Sequence, residues 1–134
     1  MGIKINILSL AVSDFKRSLN FYREGLGLGS LGLLPGSDHV SFDLQDGLSL
    51  VLYQRSEIAK LTLDPNLNPS PNELILSYAA ADKNEIDSIL AKVENFGGQL
   101  LQDKPNEEDW GYSGYFKDPD GHVWEIMWIK KQDS

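Results

Sequence analysis

Cysteine is absent from this chain, so no disulfide framework and no thiol chemistry is available to it. Histidine is scarce: His39 and His122 are the only two, and an imidazole-based metal site would have to be built from them. Basic residues are few, 12 Lys and Arg against 20 Asp and Glu, a formal net charge of −8. Phosphate backbones are bound by basic faces, so nucleic acid is not an expected partner. No run approaches the ~20 apolar residues that span a bilayer. The opening MGIKINILSLAVSD breaks into polar residues early and reads as a strand, not a signal peptide. The expectation is a cytoplasmic protein with no membrane partner. What is present suits a single domain over 1–134: 41% apolar and 24% charged residues are ordinary globular values, and 134 residues can enclose one sizeable core. The acidic balance is compatible with a cationic ligand, although it more often keeps a protein soluble.

Along the chain, residues 3–12 place Ile3, Ile5 and Ile7 on one face and Leu8, Leu10 and Val12 on the other, a strand expected to be buried on both sides. Ser13 offers an N-cap to a helix whose Phe15, Leu19, Tyr22 and Leu26 recur at helical spacing, and GLGLG closes it. HVSFDL (39–44) and LSLVLY (48–53) form a hairpin around Gln45-Asp46-Gly47. From Ser56 to Asn72 the prolines and asparagines read as a loop, either a crossing segment or a cover over a pocket. ELILSYAAA (73–81) is a strand, and Asp82 with Glu85 makes a capping box. Ile86, Ile89, Leu90, Val93 and Phe96 then stripe a helix that Gly97-Gly98 ends. QLLQ (99–102) is a short strand, and 111–117 pairs with 122–128 around Asp118-Pro119-Asp120-Gly121.

The two halves repeat. LSLAVSD (8–14) matches LSYAAAD (76–82) at four of seven positions, Asp46-Gly47 falls on Asp120-Gly121, and Phe42 falls on Phe116. A supersecondary unit used twice buries its faces by pairing. The expected layout is module one over about 1–56, a linker over about 57–72 and module two over about 73–130.

Three stretches resemble a known family. LAVSDFKRSLNFYREGLGL (10–28) carries a V-x-D-x-x-x-S-x-x-F-Y pattern, a helix ends in FGG (96–98), and GYFKDPDGHVWEI (114–126) carries F-x-D-P-D-G-x-x-x-E. Together with the duplication they resemble the vicinal oxygen chelate superfamily of glyoxalase I, bleomycin-resistance proteins, fosfomycin-resistance enzymes and extradiol dioxygenases. The resemblance implies an α+β fold of two tandem βαβββ modules. These would form a curved, cup-shaped mixed sheet with helices on its outer face, and many members pair as homodimers.

In metal-dependent members the cup holds one divalent cation through four side chains from the first and last strands of each module. Glu125, a carboxylate inside the apolar run HVWEIMW, matches one of them. The repeat carries Glu125 back to Val51, and the first-strand positions fall on Ile7 and Ile75. Three of four expected ligands are therefore hydrocarbon, and no metal or other cofactor is expected.

Strand alternation sorts the faces. Ile7, Ser9, His39, Val51, Tyr53, Ile75, Ser77, Tyr115, Glu125 and Met127 should line a small-molecule pocket, with Trp110 near it. By the same alternation Trp124, Ile126 and Trp128 should pack under the helices, and His122 should share their side. Glu125 reads either as a ligand anchor or general base, or as a carboxylate tied internally to Tyr115, Ser9 or Ser77. His39 is a base near Glu125 or a rim residue. Trp110 is an aromatic lid or a dimer contact. Arg55 is an anion clamp or a solvated strand end. The leading expectation is metal-independent binding, possible sequestration included, of a small apolar or planar molecule. The alternatives are a metal-dependent lyase or isomerase like glyoxalase I, and a metal-free enzyme using Glu125 as general base.

Overall fold

The computed structural model describes residues 2–29, 39–62 and 73–130. The chain divides into two compact units, 1–69 and 70–134, each an α+β arrangement of one sheet with helices beside it.

In the first unit, β1 (Ile7–Val12) leads into α1 (Phe15–Asn20), which continues as a π-helical turn, Phe21–Gly25. Then come β2 (His39–Gln45), β3 (Leu48–Gln54) and α2 (Arg55–Thr62). Among the described residues the sheet runs β1-β3-β2, with β1 parallel and β2 antiparallel to β3. Paired residues share a face, so Leu10, Val12, Val40, Phe42, Leu50 and Leu52 lie together, and all are buried. Phe15, Leu19, Phe21 and Tyr22 are buried with them. The Tyr22 ring stands 6.1 Å from Phe42 and meets Phe21 edge-on at 5.2 Å, a geometry aromatic pairs favour.

In the second unit, β4 (Ile75–Ala79) precedes α3 (Lys83–Val93), which ends in a 3-10 turn, Glu94–Phe96. β5 (Gln99–Leu100), β6 (Asn106–Glu108), β7 (Gly111–Lys117) and β8 (Val123–Ile129) follow. The sheet order is β4-β8-β7-β5, with β6 also on β7. α3 covers the face of Phe116, Trp124 and Ile126 and brings Ile86 and Val93 into the core. Gly114 lies directly under that helix: a Cβ there would come within 2.5 Å of Leu90 Cδ1, so a larger residue would require the Leu90 side chain to move.

The strand registers reproduce the duplication. Ile7 pairs with Ser49 as Ile75 pairs with Val123, and Ser41 pairs with Val51 as Tyr115 pairs with Glu125. Val51 is thus the counterpart of Glu125, as the sequence offset implies.

Several expectations need correction. The first strand begins at Ile7, not at residue 3, and only one of its faces is buried. Ile3, Ile5 and Ile7 are 100, 68 and 60% exposed, and the helix side of the strand takes Leu10 and Val12. The α1 cap is Asp14, whose Oδ1 accepts from the Arg17 N–H at 3.1 Å; a carboxylate is the stronger acceptor, and Ser13 Oγ instead accepts from the Arg17 guanidinium at 3.2 Å. The segment beginning at Ser56 is helical through Thr62, while residues 63–72 of the expected linker lie outside the described ones. α2 is polar on much of its surface, with Glu57 and Lys60 paired one turn apart, which hid it from a search for apolar stripes. β5 stops at Leu100, short of the expected residue 102, and β6 has no counterpart among the expected strands because its three polar residues carry no alternation. β8 begins at Val123, so His122 belongs to the turn and not to a strand face.

Candidate functional site

The D-P-D-G turn is where the local folding of the site starts. Asp118 is buried, and its Oδ1 accepts from the backbone N–H of Asp120 at 2.9 Å and of His122 at 2.8 Å. Its Oδ2 lies 2.6 Å from His122 Nδ1. An aspartate that bonds its own following backbone makes a turn rigid, and Gly121 supplies the left-handed residue (φ 93°) that closes it. The turn sets the pairing of β7 with β8, and that pairing puts Tyr115 directly opposite Glu125.

On the other side of β8, parallel β4 puts Ser77 opposite the same residue. The three side chains form one row across the sheet, on the face away from α3. Ser77 Oγ donates to Glu125 Oε1 at 2.8 Å, and Tyr115 Oη donates to Glu125 Oε2 at 2.6 Å. Both carboxylate oxygens are therefore engaged, which is how a half-buried carboxylate in an apolar strand is accommodated. The hydrogen bond to Glu125, followed by burial and the negative charge, raises the Tyr115 phenol above its ordinary value and keeps it protonated. The rows on either side are Ile75, Val123 and Lys117 in one direction, and Ala79, Met127 and Ser113 in the other. Asn106 joins the latter row through β6, a neighbour the sequence carried no signal for.

The first unit places its own predicted residues on one face in the same way. Ile7 lies in a row with Ser49 and Asp43, Ser9 with Val51 and Ser41, and Tyr53 with His39 and Ala11. Val51 is buried at 6% exposure, whereas Glu125 keeps partial access in its own unit. His39 is exposed and stacks on Tyr53 with centroids 5.0 Å apart. Ile7 borders a depression of about 580 Å³ at the β2–β3 hairpin, which Asn6, Asp43, Asp46 and Ser49 also line. Arg55 Nη2 donates to the Ala11 carbonyl at 3.4 Å. Trp110 is 46% exposed between β6 and β7, and its carbonyl accepts from Lys130 N–H at 2.7 Å.

The structure thus joins Ser77, Tyr115 and Glu125 by direct contact and sets Ile75 and Met127 one row to either side. Ile7, Ser9, Val51, Tyr53 and His39 share a face of the other unit. The four positions the resemblance assigns to a metal hold Ile7, Val51, Ile75 and Glu125. Divalent cations require several oxygen, nitrogen or sulfur donors; Ile7 and Val51 of the first unit supply none, and in the second unit Ile75 supplies none and Glu125 a single carboxylate, a donor set that does not fit such an ion. Among the described residues no group of three or more His, Asp or Glu comes together at spacing fit for a metal.

Comparison with known proteins agrees with this architecture. The model of the Glyoxalase/Bleomycin resistance protein/Dioxygenase superfamily matches residues 4–126. The chain is 26% identical to the metallothiol transferase FosB of Staphylococcus saprophyticus, over 96% of this chain and 79% of that one. It is 29% identical to the FosB of Lysinibacillus sphaericus, over 96% of this chain and 84% of that one. Among solved structures, a glyoxalase-related enzyme from Fulvimarina pelagi superposes with a TM-score of 0.83 at 24% identity, covering 93% of this chain and 87% of that one. The family model spans nearly all of both units, and the chain belongs to the glyoxalase/bleomycin resistance/dioxygenase superfamily.

Proposed function

We propose that this chain is a metal-independent binder of a small apolar or planar molecule, held on the face of the second unit's sheet that carries Glu125. The observation that supports this reading is the row Ser77–Glu125–Tyr115. It is a pre-formed polar group, already hydrogen-bonded, with Ile75, Val123 and Met127 in the rows beside it. A few fixed polar groups in an apolar surround are the usual composition of a small-molecule site. The test is a thermal-shift screen of planar metabolites and drugs against the purified chain in the presence of a chelator, repeated with Glu125→Gln. The reading expects stabilising compounds that tolerate chelation and whose effect shrinks in the variant. Compounds that stabilise only when a divalent metal is added contradict it.

A second reading, metal-assisted transfer, is favoured by the similarity to the two metallothiol transferases FosB and opposed by the lack of any donor atom on the side chains of Ile7, Val51 and Ile75. A third, in which Glu125 is a general base, requires turnover that Glu125→Gln abolishes. We also propose that the chain forms a homodimer. Ile3, Ile5 and Ile7 of the first unit and Ile75 of the second are each more than half exposed, and exposed large apolar side chains are what association surfaces are built from.

A further inference from the structure

An ionised carboxylate can only accept hydrogen bonds, so both contacts to Glu125 fix where the neighbouring hydroxyl protons lie. The Ser77 proton points at Oε1 and the Tyr115 proton points at Oε2. Each hydroxyl has then spent its one donor. What Ser77 Oγ, Tyr115 Oη and the remaining carboxylate lone pairs offer to a visitor is acceptors alone.

We infer that the Ser77–Glu125–Tyr115 row recognises a planar cationic donor, an amidinium or a protonated aromatic amine, and rejects carboxylates and phosphates of the same shape. This rests on the small-molecule reading above and narrows it to a chemical class. A cation with N–H groups meets one full negative charge and four acceptor oxygens, Ser77 Oγ, Tyr115 Oη and the two of Glu125. Hydrogen bonds between charged partners are about twice as strong as neutral ones. An anion meets like charge and finds no donor in the row, since releasing either hydroxyl would strip a half-buried carboxylate of its partner. Specificity of this kind comes as much from what is refused as from what is bound. The apolar body of the ligand lies against Met127, the half-buried neighbour of Glu125 on the same strand face, whereas Val123 on its other side is buried. Lys117, paired with Val123 in the adjacent row, is the competing charge on this face, and its ammonium opposes the cation.

The test titrates benzamidine and benzoate, a charge-reversed pair with the same ring and planar head, into the full chain while amide and tyrosine NMR signals are followed. Benzamidine is expected to perturb Ser77, Tyr115 and Glu125 and to bind about tenfold or more tightly than benzoate. Glu125→Gln, confirmed as folded by its melting curve, should remove that preference. Tyr115→Phe, which keeps the ring packing, should weaken benzamidine severalfold, and Lys117→Met should strengthen it. Benzoate binding equally or more tightly overturns the inference. So does a benzamidine preference that survives Glu125→Gln, or silence of the row toward both probes. If neutral planar compounds bind this face independently of Glu125, the small-molecule reading stands and the cation specificity falls. If compounds of no charge class bind it, both fall.

Discussion

Glu125 and Tyr112 are two polar residues that the fold of the second unit holds in different ways, and each yields a measurement. Tyr112 Oη donates to Asp87 Oδ1 at 2.7 Å, and its pKa is pushed up to about 12, first by that bond, then by burial and the charges of Asp87 and Glu107. The unfolded phenol titrates near 10, so the folded form holds its proton more tightly. The stability this contact contributes is fully present below pH ~10 and is lost as pH rises through 10 to 12. An ultraviolet titration of the five tyrosines should therefore contain a late phase that Tyr112→Phe removes. At Glu125 the carboxamide of a Gln variant can still accept from one hydroxyl and donate to the other. Glu125→Gln is expected to cost about 1 kcal/mol or less in stability while it impairs binding. A collapse of the fold would mean the carboxylate is a structural tie and nothing more. The sequence made Glu125 conspicuous as a charge in an apolar run, and named Ser77 and Tyr115 among its possible partners. Ser9, the third named, belongs to the other unit's sheet and sits opposite Val51 there.

The hairpin of β7 and β8 depends on its turn. Replacing Asp118 with Ala deletes the acceptor of two backbone N–H groups and of the His122 ring at a buried position. A loss of about 3 kcal/mol in urea unfolding is expected, with an unchanged m-value. A cost below about 0.5 kcal/mol would mean that water replaces Asp118 and that the turn does not set the register. The same elements show why some of the fold was legible and some was not. β1, β3, β4, β7 and β8 alternate or run apolar, and α3 carries a regular apolar stripe, so periodicity finds them. α2 and β6 have no such period: Arg55–Thr62 is dominated by polar residues, and Asn106–Glu108 is a strand only because β7 offers it an edge. The two-sided burial expected of β1 is not found, because alternation shows which residues share a face but not whether that face is covered. Within the paired strands the residues expected to share a face do so, since pairing register and side-chain alternation are one constraint, whereas His122 lies in the turn before β8.

Across the chain the duplicated units have kept their frame and diverged in their central row. Ser9–Val51–Ser41 is apolar at the position where Ser77–Glu125–Tyr115 is charged. No helix among the described residues is long and apolar enough to cross a membrane. The exposed isoleucines predict that sedimentation equilibrium will give about twice the chain mass of 15.0 kDa, and that Ile5→Asp with Ile7→Asp will shift it toward a monomer. A monomeric wild type at micromolar concentration contradicts the dimer. The central claim, that a family scaffold often built around a metal here works without one, is tested most directly by the metal content of the purified, tag-free protein. Elemental analysis after incubation with Ni, Zn, Mn and Fe(II), followed by gel filtration, should find far less than one ion per chain. One tightly held ion per chain would contradict the account, because Ile7, Val51 and Ile75 could then not be standing where the metal ligands belong.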